Sequence, residues 1–237
     1  MPVEIAYGTG GYAVMMLTPA DLVDFAYGFS LTEGVIGAAS DIRGIEQDAA
    51  EGGLRLRVEL VGSRLHAHLA RRRALTGRTG CGVCGITDIA ALPRSPPLAG
   101  SAPTVRLAAV QHALGGLETL QPLGAVTRAV HGAAWCGHDG TVHLVREDVG
   151  RHNALDKLVG ALLRDGRDPA GGFLLITSRA SFEMVEKAGA FGCRTLVAIS
   201  APTALAVARA QALDITLVGI ARPDGVTVFH GRERLAP

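Results

Sequence analysis

From Leu54 to Leu60 the apolar residues Leu54, Leu56, Val58 and Leu60 alternate with Arg55, Arg57 and Glu59. This is the period of a strand with one buried face. Val3 to Leu17 is rich in β-formers around Gly8-Thr9-Gly10-Gly11 and reads as a hairpin, the glycines supplying positive φ at the turn. No Lys-Ser/Thr follows those glycines, and their spacing is not that of a dinucleotide fingerprint, so a phosphate loop is the poorer reading. Thr18-Pro19-Ala20-Asp21 then predicts a helix start, with Thr18 as N-cap, Pro19 in the first turn and Asp21 at the positive end of the dipole. Leu22, Phe25, Ala26 and Phe29 line one face of that helix.

The second half alternates regularly. Strands are predicted at 141–146, 173–177, 195–199, 216–220 and 226–229, with helices at about 150–163, 182–190 and 203–212. Apolar strands alternating with helices imply a largely parallel sheet covered on both faces. Ligands of such sheets bind beyond the carboxyl ends of the strands. There the chain places Arg146-Glu147-Asp148, Ser178-Arg179, Ser200 and Arg222-Pro223-Asp224, and arginines with small hydroxyls suit a phosphate-bearing ligand. Pro93 to Pro103, with Pro96-Pro97 and Gly100, reads as a connector. The organisation expected is a small N-terminal α+β domain (1–75 plus about 104–135), a cysteine-bearing loop and connector (76–103), and an α/β domain (136–237).

Composition narrows the classes of function. The 237 residues are 48% hydrophobic with a net charge of +1, so a sizeable core can form, and no global field favours nucleic acid or an anionic membrane. The apolar runs are short, as in Phe173-Leu174-Leu175-Ile176, against the roughly 20 residues that a membrane span needs. The first residues lack the basic and apolar regions of a signal peptide. Four cysteines are too few for a disulfide scaffold, so reduced thiols in a cytoplasmic protein are expected.

Gly80-Cys81-Gly82-Val83-Cys84-Gly85 is the segment richest in chemistry. Glycines around both cysteines remove bulk and permit unusual backbone angles. CxxC neighbours and nearby cations, such as Arg78 and the Arg71–Arg73 run, lower a thiol pKa from its usual value of about 8.5 and favour a nucleophilic thiolate. Two other readings stay open: a structural zinc site, although Cys136 and Cys193 are remote and unpaired, and thiol–disulfide exchange. Cys136 and Cys193 themselves read as buried thiols, and no metal site is expected.

Arg146-Glu147-Asp148-Val149-Gly150-Arg151-His152-Asn153-Ala154-Leu155-Asp156-Lys157 resembles the signature of the formate dehydrogenase accessory sulfurtransferase family, FdhD. In the same order as in that family come Thr18-Pro19-Ala20-Asp21-Leu22, Phe29 to Gly34, Gly80 to Gly85, Thr177 to Val185, Ser200-Ala201-Pro202-Thr203 and Leu217 to Arg222. Together they span nearly the whole chain. The resemblance implies a small N-terminal α+β domain followed by a cytidine-deaminase-like three-layer α/β domain, in a cytoplasmic homodimer. It implies a sulfurtransferase that accepts persulfide sulfur from a cysteine desulfurase on Cys81, with Cys84 as partner. The sulfur would pass to a molybdenum bis(molybdopterin guanine dinucleotide) cofactor bound as substrate, as formate dehydrogenase requires. The family's cofactor-binding stretch corresponds to Ile220-Ala221-Arg222-Pro223-Asp224-Gly225, and guanine nucleotides such as GDP would occupy the same site. Nucleic acid and membranes are not expected partners. A non-catalytic chaperone that only holds the cofactor is the alternative.

Arg151, Arg179 and Arg222 are candidates for the phosphates, and Asp224 for guanine donors. His152 lies in the first turn of its helix, where amides can hold an anion. Asp148 or Asn153 would equally serve as structural caps there. The Arg71–Arg73 run reads either as a solvated cluster or as a docking patch for an acidic desulfurase surface. Zinc deaminase chemistry needs His-x-Glu and Pro-Cys-x-x-Cys, and neither is present, so a deaminase-like fold would not bring deaminase function.

Overall fold

The structure is a computed structural model that describes residues 1–8, 10–66, 97–98, 100 and 103–237. The Arg71–Arg73 run, Arg78, Cys81 and Cys84 lie outside the described residues.

The N-terminal layer is a four-stranded sheet in the order β2-β1-β4-β3, covered by one helix. Strands β1 (Pro2–Tyr7) and β2 (Gly10–Met16) form the expected antiparallel hairpin. β4 (Gly53–Leu60) pairs parallel to β1 and antiparallel to β3 (Ile42–Ala50). The period-2 pattern buries Leu56, Val58 and Leu60 against Phe25, Ala26 and Phe29 of helix α1 (Leu22–Thr32).

The helix start is not where the sequence predicts it. Asp21, in the left-handed region at φ 54°, is the N-cap, and no side chain caps the helix. Thr18 is used elsewhere: its Oγ1 accepts from the Val149 amide (3.0 Å), which ties the two layers together.

The second layer is a six-stranded sheet in the order β11-β10-β9-β8-β6-β7. It comprises β6 (His131–Gly137), β7 (Val142–Asp148), β8 (Gly172–Ile176), β9 (Thr195–Ala198), β10 (Thr216–Arg222) and β11 (Gly225–His230). Only β8, β9 and β10 are mutually parallel; β6, β7 and β11 are antiparallel to their neighbours, so the sheet is mixed. Helices α4 (Arg151–Arg164), α5 (Phe182–Phe191) and α6 (Ala204–Leu213) cover one face. The predicted stripe of Leu155, Leu158, Val159 and Leu162 is fully buried there.

The opposite face is covered by α2 (Leu107–Leu117), through Ala109, Val110, Ala113 and Leu117 packed with Phe173, Leu175 and Val197. A short strand β5 (Val105–Arg106) pairs with the C-terminal β12 (Leu235–Ala236), and α3 (Pro122–Thr127) follows α2. Residues 105–117 and β6 thus pack with the larger sheet. The mixed α/β architecture itself is as expected.

The layers meet helix on helix. Gly28 of α1 and Gly160 of α4 face each other so closely that a Cβ on Gly28 would lie 1.8 Å from the Asp156 carbonyl oxygen, and one on Gly160 1.8 Å from that of Asp24. Such backbone contact is open only to glycine. Three buried acids ring the crossing. Asp24 receives Arg146 (2.8 and 2.9 Å) and Arg164. Asp156 receives Lys187 (2.8 and 2.9 Å) and the Thr32 hydroxyl (2.7 Å). Asp148 binds Lys157 at 2.7 Å, both side chains fully buried. No helix among the described residues is long and apolar enough to cross a membrane.

Candidate functional site

Parallel β8, β9 and β10 end at one edge of the sheet. β6 begins there, because Ala133 pairs with Ile176. β7 ends there, because His131 pairs with Asp148. One edge therefore collects His131, Arg151 and His152 at the start of α4, Ser178 and Arg179 after β8, Glu183 in the first turn of α5, Ser200 after β9, and Arg222 with Asp224 after β10. With strands about 4.8 Å apart, the β10 and β6 positions stand on the order of 14 Å apart along it.

At the β10 end, Arg179, Arg222, Pro223 and Asp224 are exposed, and Ala221 is buried. The Arg222 guanidinium donates to the Ile199 and Ala221 carbonyls, which fixes its stem over the strand ends. Pairing of β10 with β11 is irregular between Gly219 and Arg222. Within that irregularity Ile220 has φ 51°. A β-branched residue in the left-handed region is a genuine outlier, costing of order 1–3 kcal/mol. Its side chain is nonetheless 44% exposed, so burial of that side chain does not explain the strain. The amide of Ile220 donates to the Ser200 carbonyl (3.2 Å), joining the β9 and β10 ends.

At the β6–β8 end, the residues around His152 divide into structure and chemistry. Asp148 is structural: its Oδ1 accepts from the Gly150 amide (2.8 Å) and Asn153 Nδ2 (3.0 Å), and its Oδ2 from the Thr18 amide (2.9 Å). Lys157 donates further to the Thr18 and Glu147 carbonyls at 2.9 and 3.2 Å. Asn153 donates to the Met16 carbonyl (2.9 Å). The long signature segment thus folds largely into an inter-layer clasp, whereas sequence reasoning gave Asp148 and Asn153 only as caps of the helix start.

His152 is left over from that clasp. Its Nε2 is shut off from solvent, lacks a hydrogen-bond partner, and lies 4.0 Å from Glu183 Oε2. The Nε of Arg151 is likewise buried and unpartnered. Burial, reinforced by Arg151 and Lys187 and opposed by Glu183, pushes the His152 pKa down to about 4. Burial and then Arg151 lower His131 as well. Burial pushes the Glu183 carboxyl up, but the Ser181 hydroxyl, its own backbone amide, His152 and Arg151 outweigh this and hold it below the usual range. The sequence reading missed Glu183, because only the fold brings the first turns of α4 and α5 together.

The depressed His152 pKa has a consequence for stability. The folded value lies below the ordinary 6.5, so the unfolded chain takes up this proton first, and stability falls as pH drops from 6.5 towards 4. Between about pH 7 and pH 4.5 the wild type should lose roughly 2–3 kcal/mol more than His152→Asn. Urea unfolding at both pH values checks this; parallel losses would show that His152 does not titrate this way.

Cys136 and Cys193 are buried free thiols, as expected. Burial pushes their pKa values up to about 12 and about 11, so neither is a nucleophile. Among the described residues, no group of three or more His, Cys, Asp or Glu is placed to hold a metal. Leu98 and Gly100, just after the cysteine-bearing stretch, are held by the buried Arg194 through their carbonyls, the latter at 2.8 Å.

A helix-covered mixed sheet clasped to a smaller sheet, with a polar, arginine-bearing edge of strand ends, defines a mixed α/β protein. The chain matches the FdhD/NarQ family model over residues 1–236, and it belongs to that family. It is 49% identical over 235 residues to the sulfur carrier protein FdhD of Xanthomonas euvesicatoria pv. vesicatoria (strain 85-10), covering 99% of this chain and 84% of that protein. It is 46% identical over 234 residues to the sulfur carrier protein FdhD of Bordetella petrii, with the same coverage of 99% and 84%. The crystal structure described as a formate dehydrogenase accessory protein from Desulfotalea psychrophila superposes with a TM-score of 0.78 at 27% identity, over 99% of this chain and 88% of that one.

Proposed function

We propose that this protein is a sulfurtransferase. It takes persulfide sulfur from a cysteine desulfurase onto Cys81 and delivers it to the molybdenum of a bis(molybdopterin guanine dinucleotide) substrate, as formate dehydrogenase requires. The observation that carries the reading is membership of a family whose near relatives are named sulfur carriers, in a chain that retains the Cys81-Gly-Val-Cys84 pair. Since Cys136 and Cys193 are buried with raised pKa values, the nucleophile falls to that pair.

In the proposed reaction the Cys81 thiolate attacks the outer sulfur of the desulfurase persulfide. The S–S bond breaks, and the desulfurase cysteine leaves as a thiolate. Attack of Cys84 on the Cys81 sulfur then forms a disulfide and expels the carried sulfur as sulfide, two electrons richer, to become a ligand of the substrate's molybdenum. A cellular thiol reductant resets the pair. Arg179 and Arg222 would face the substrate's phosphates, and Asp224 would accept from guanine donors; the irregular Ile220–Gly225 stretch is where such a ligand would seat. Free buried thiols suit the reducing cytoplasm. For the homodimer of this reading, the exposed Val14 and Met16 on the outer strand β2 offer an apolar face.

Intact-protein mass spectrometry after incubation with a cysteine desulfurase and cysteine tests the proposal. Wild type should gain a sulfur adduct of about 32 Da, which Cys81→Ala abolishes. An adduct that persists in Cys81→Ala would remove Cys81 as carrier. No adduct on any form, with GDP binding intact, would leave a cofactor-holding chaperone.

A further inference from the structure

We propose that the free edge of β7, with the cleft beside it, docks an extended segment of a partner protein, apolar at alternate positions with Lys or Arg between, which adds to the larger sheet as a further strand. β7 is the last strand of its sheet, and among the described residues it pairs only with β6. The backbone groups on its other side are a template for one more strand. A cleft of about 430 Å³ lies along that side, within the roughly 300–1,000 Å³ range of ligand pockets. Nothing in this site depends on the sulfur chemistry proposed above.

The two walls of the cleft differ, and together they select the segment. Strand side chains alternate between the faces of a sheet. On the face that carries α2, Val142 and Val145 pack with the core, and Leu120, Pro122 and Leu123 continue an apolar wall beyond the strand. That wall is held in place, because the Glu147 carboxylate accepts from the Leu123 and Gly124 amides (2.9 and 2.7 Å). Leu120 is nonetheless 44% exposed, an apolar side chain that a docked strand would cover. On the opposite face Leu144 joins the core beneath α4, and Asp21 borders the cleft. The Asp21 side chain is 41% exposed, and its carboxylate stands 3.6 Å from Arg146, whose guanidinium is already spent on Asp24. The polar side chains of the cleft are Asp21, Glu147 and His143, and among the described residues no Lys or Arg lines it. A strand laid along β7 therefore sets one row of side chains against the apolar wall and the other beside the Asp21 carboxylate, where Lys or Arg is favoured. Main-chain hydrogen bonds give such an added strand its affinity, and the alternating side chains its specificity.

The test is fluorescence anisotropy of the full-length protein with a labelled octapeptide that alternates valine and lysine. Two controls accompany it: the same peptide with glutamate for lysine, and the lysine peptide N-methylated at its central amides so that it cannot pair as a strand. Wild type should bind the lysine peptide, and hydrogen exchange across 142–148 should slow when it does. Both controls should bind at least about 10-fold more weakly. Leu120→Ser should lose about 10-fold in affinity for the lysine peptide, and Asp21→Asn about 2–5-fold. Both positions are at the surface, and asparagine accepts the left-handed backbone of Asp21, so both variants should fold, which thermal melts check. A lysine peptide that fails to bind wild type at millimolar concentration, or that binds Leu120→Ser and Asp21→Asn as tightly as wild type, overturns the site. Equal binding of the glutamate peptide overturns the basic partner, and equal binding of the N-methylated peptide overturns strand addition. A wild-type dimer in size-exclusion chromatography that Leu120→Ser dissociates would give the edge to a second copy of this chain instead.

Discussion

Replacing Gly28 by alanine is expected to lower the stability of this protein by at least about 3 kcal/mol, beyond the usual range for overpacking. The added Cβ would sit 1.8 Å from the Asp156 carbonyl oxygen and 2.8 Å from the Gly160 nitrogen. Both obstacles are backbone atoms of α4, so no rotamer change relieves the clash, and α1 and α4 must separate. Separation opens the packing of Phe25 and Phe29 and stretches the Asp24–Arg146 and Thr32–Asp156 contacts that flank the crossing. Helix propensity argues the other way, since alanine exceeds glycine by about 1 kcal/mol inside a helix. Intrinsic preference and tertiary fit thus predict opposite signs. For a chain of this size, 3 kcal/mol corresponds to a fall in Tm of roughly 6–12 °C. Gly160→Ala should behave alike, meeting the Asp24 carbonyl oxygen at 1.8 Å. A thermal melt in which Gly28→Ala matches or exceeds wild type would show that the helices do not touch in this way. Gly52 provides the contrast: it has positive φ but open space around it, so alanine there strains only a turn.

This crossing was not legible in the sequence, although its parts were. The apolar faces of α1 and α4 follow from period 3.6, and the strands of the C-terminal half from short apolar runs between helices. Gly28 and Gly160, however, lie 132 residues apart, and nothing local says that they meet. Strand β6, His131-Gly-Ala-Ala-Trp-Cys-Gly, lacks β-branched residues and reads as a loop; it becomes a strand by pairing with both β7 and β8. Its antiparallel link to β7 was legible in principle, because Asp139-Gly140 is a hairpin signal. Helix α2 follows a proline-rich connector and contains Gly115-Gly116, which hid its place on the larger sheet.

The candidate site was half legible for a related reason. Strand ends announce themselves through polar residues after apolar runs, so Arg179, Arg222 and Asp224 could be named in advance. Ile220 could be named only through the family resemblance, and its left-handed backbone appears only in three dimensions. The signature segment misleads in the opposite direction. It looks like a ligand-binding motif, yet Arg146, Asp148, Asn153, Asp156 and Lys157 are engaged with residues of the N-terminal layer or with one another. Among the described residues of that segment, Arg151 and His152 keep buried nitrogens unspent. A conspicuous motif can therefore be largely a structural clasp.

Asp148→Asn should be the most damaging isosteric change in that clasp, lowering stability by about 3–5 kcal/mol, the range for breaking a buried ion pair. All four contacts of the carboxylate are donors: the Thr18 amide and Lys157 Nζ on Oδ2, the Gly150 amide and Asn153 Nδ2 on Oδ1. An asparagine must turn its NH2 towards one of these pairs, donor against donor, whichever way it flips. The Lys157 charge would stay fully buried, with only the Thr18 and Glu147 carbonyls to balance it. Lys157→Met should cost less, because the Asp148 carboxylate would keep three donors. The double variant should recover part of the loss, since removing both charges avoids an unpaired buried ion. Urea denaturation of the three variants measures the order. Asp148→Asn within 1 kcal/mol of wild type, or Lys157→Met falling below it, would contradict this account of the clasp. Because Asp148 also fixes Gly150 and Asn153 at the head of α4, its loss should loosen Arg151 and His152.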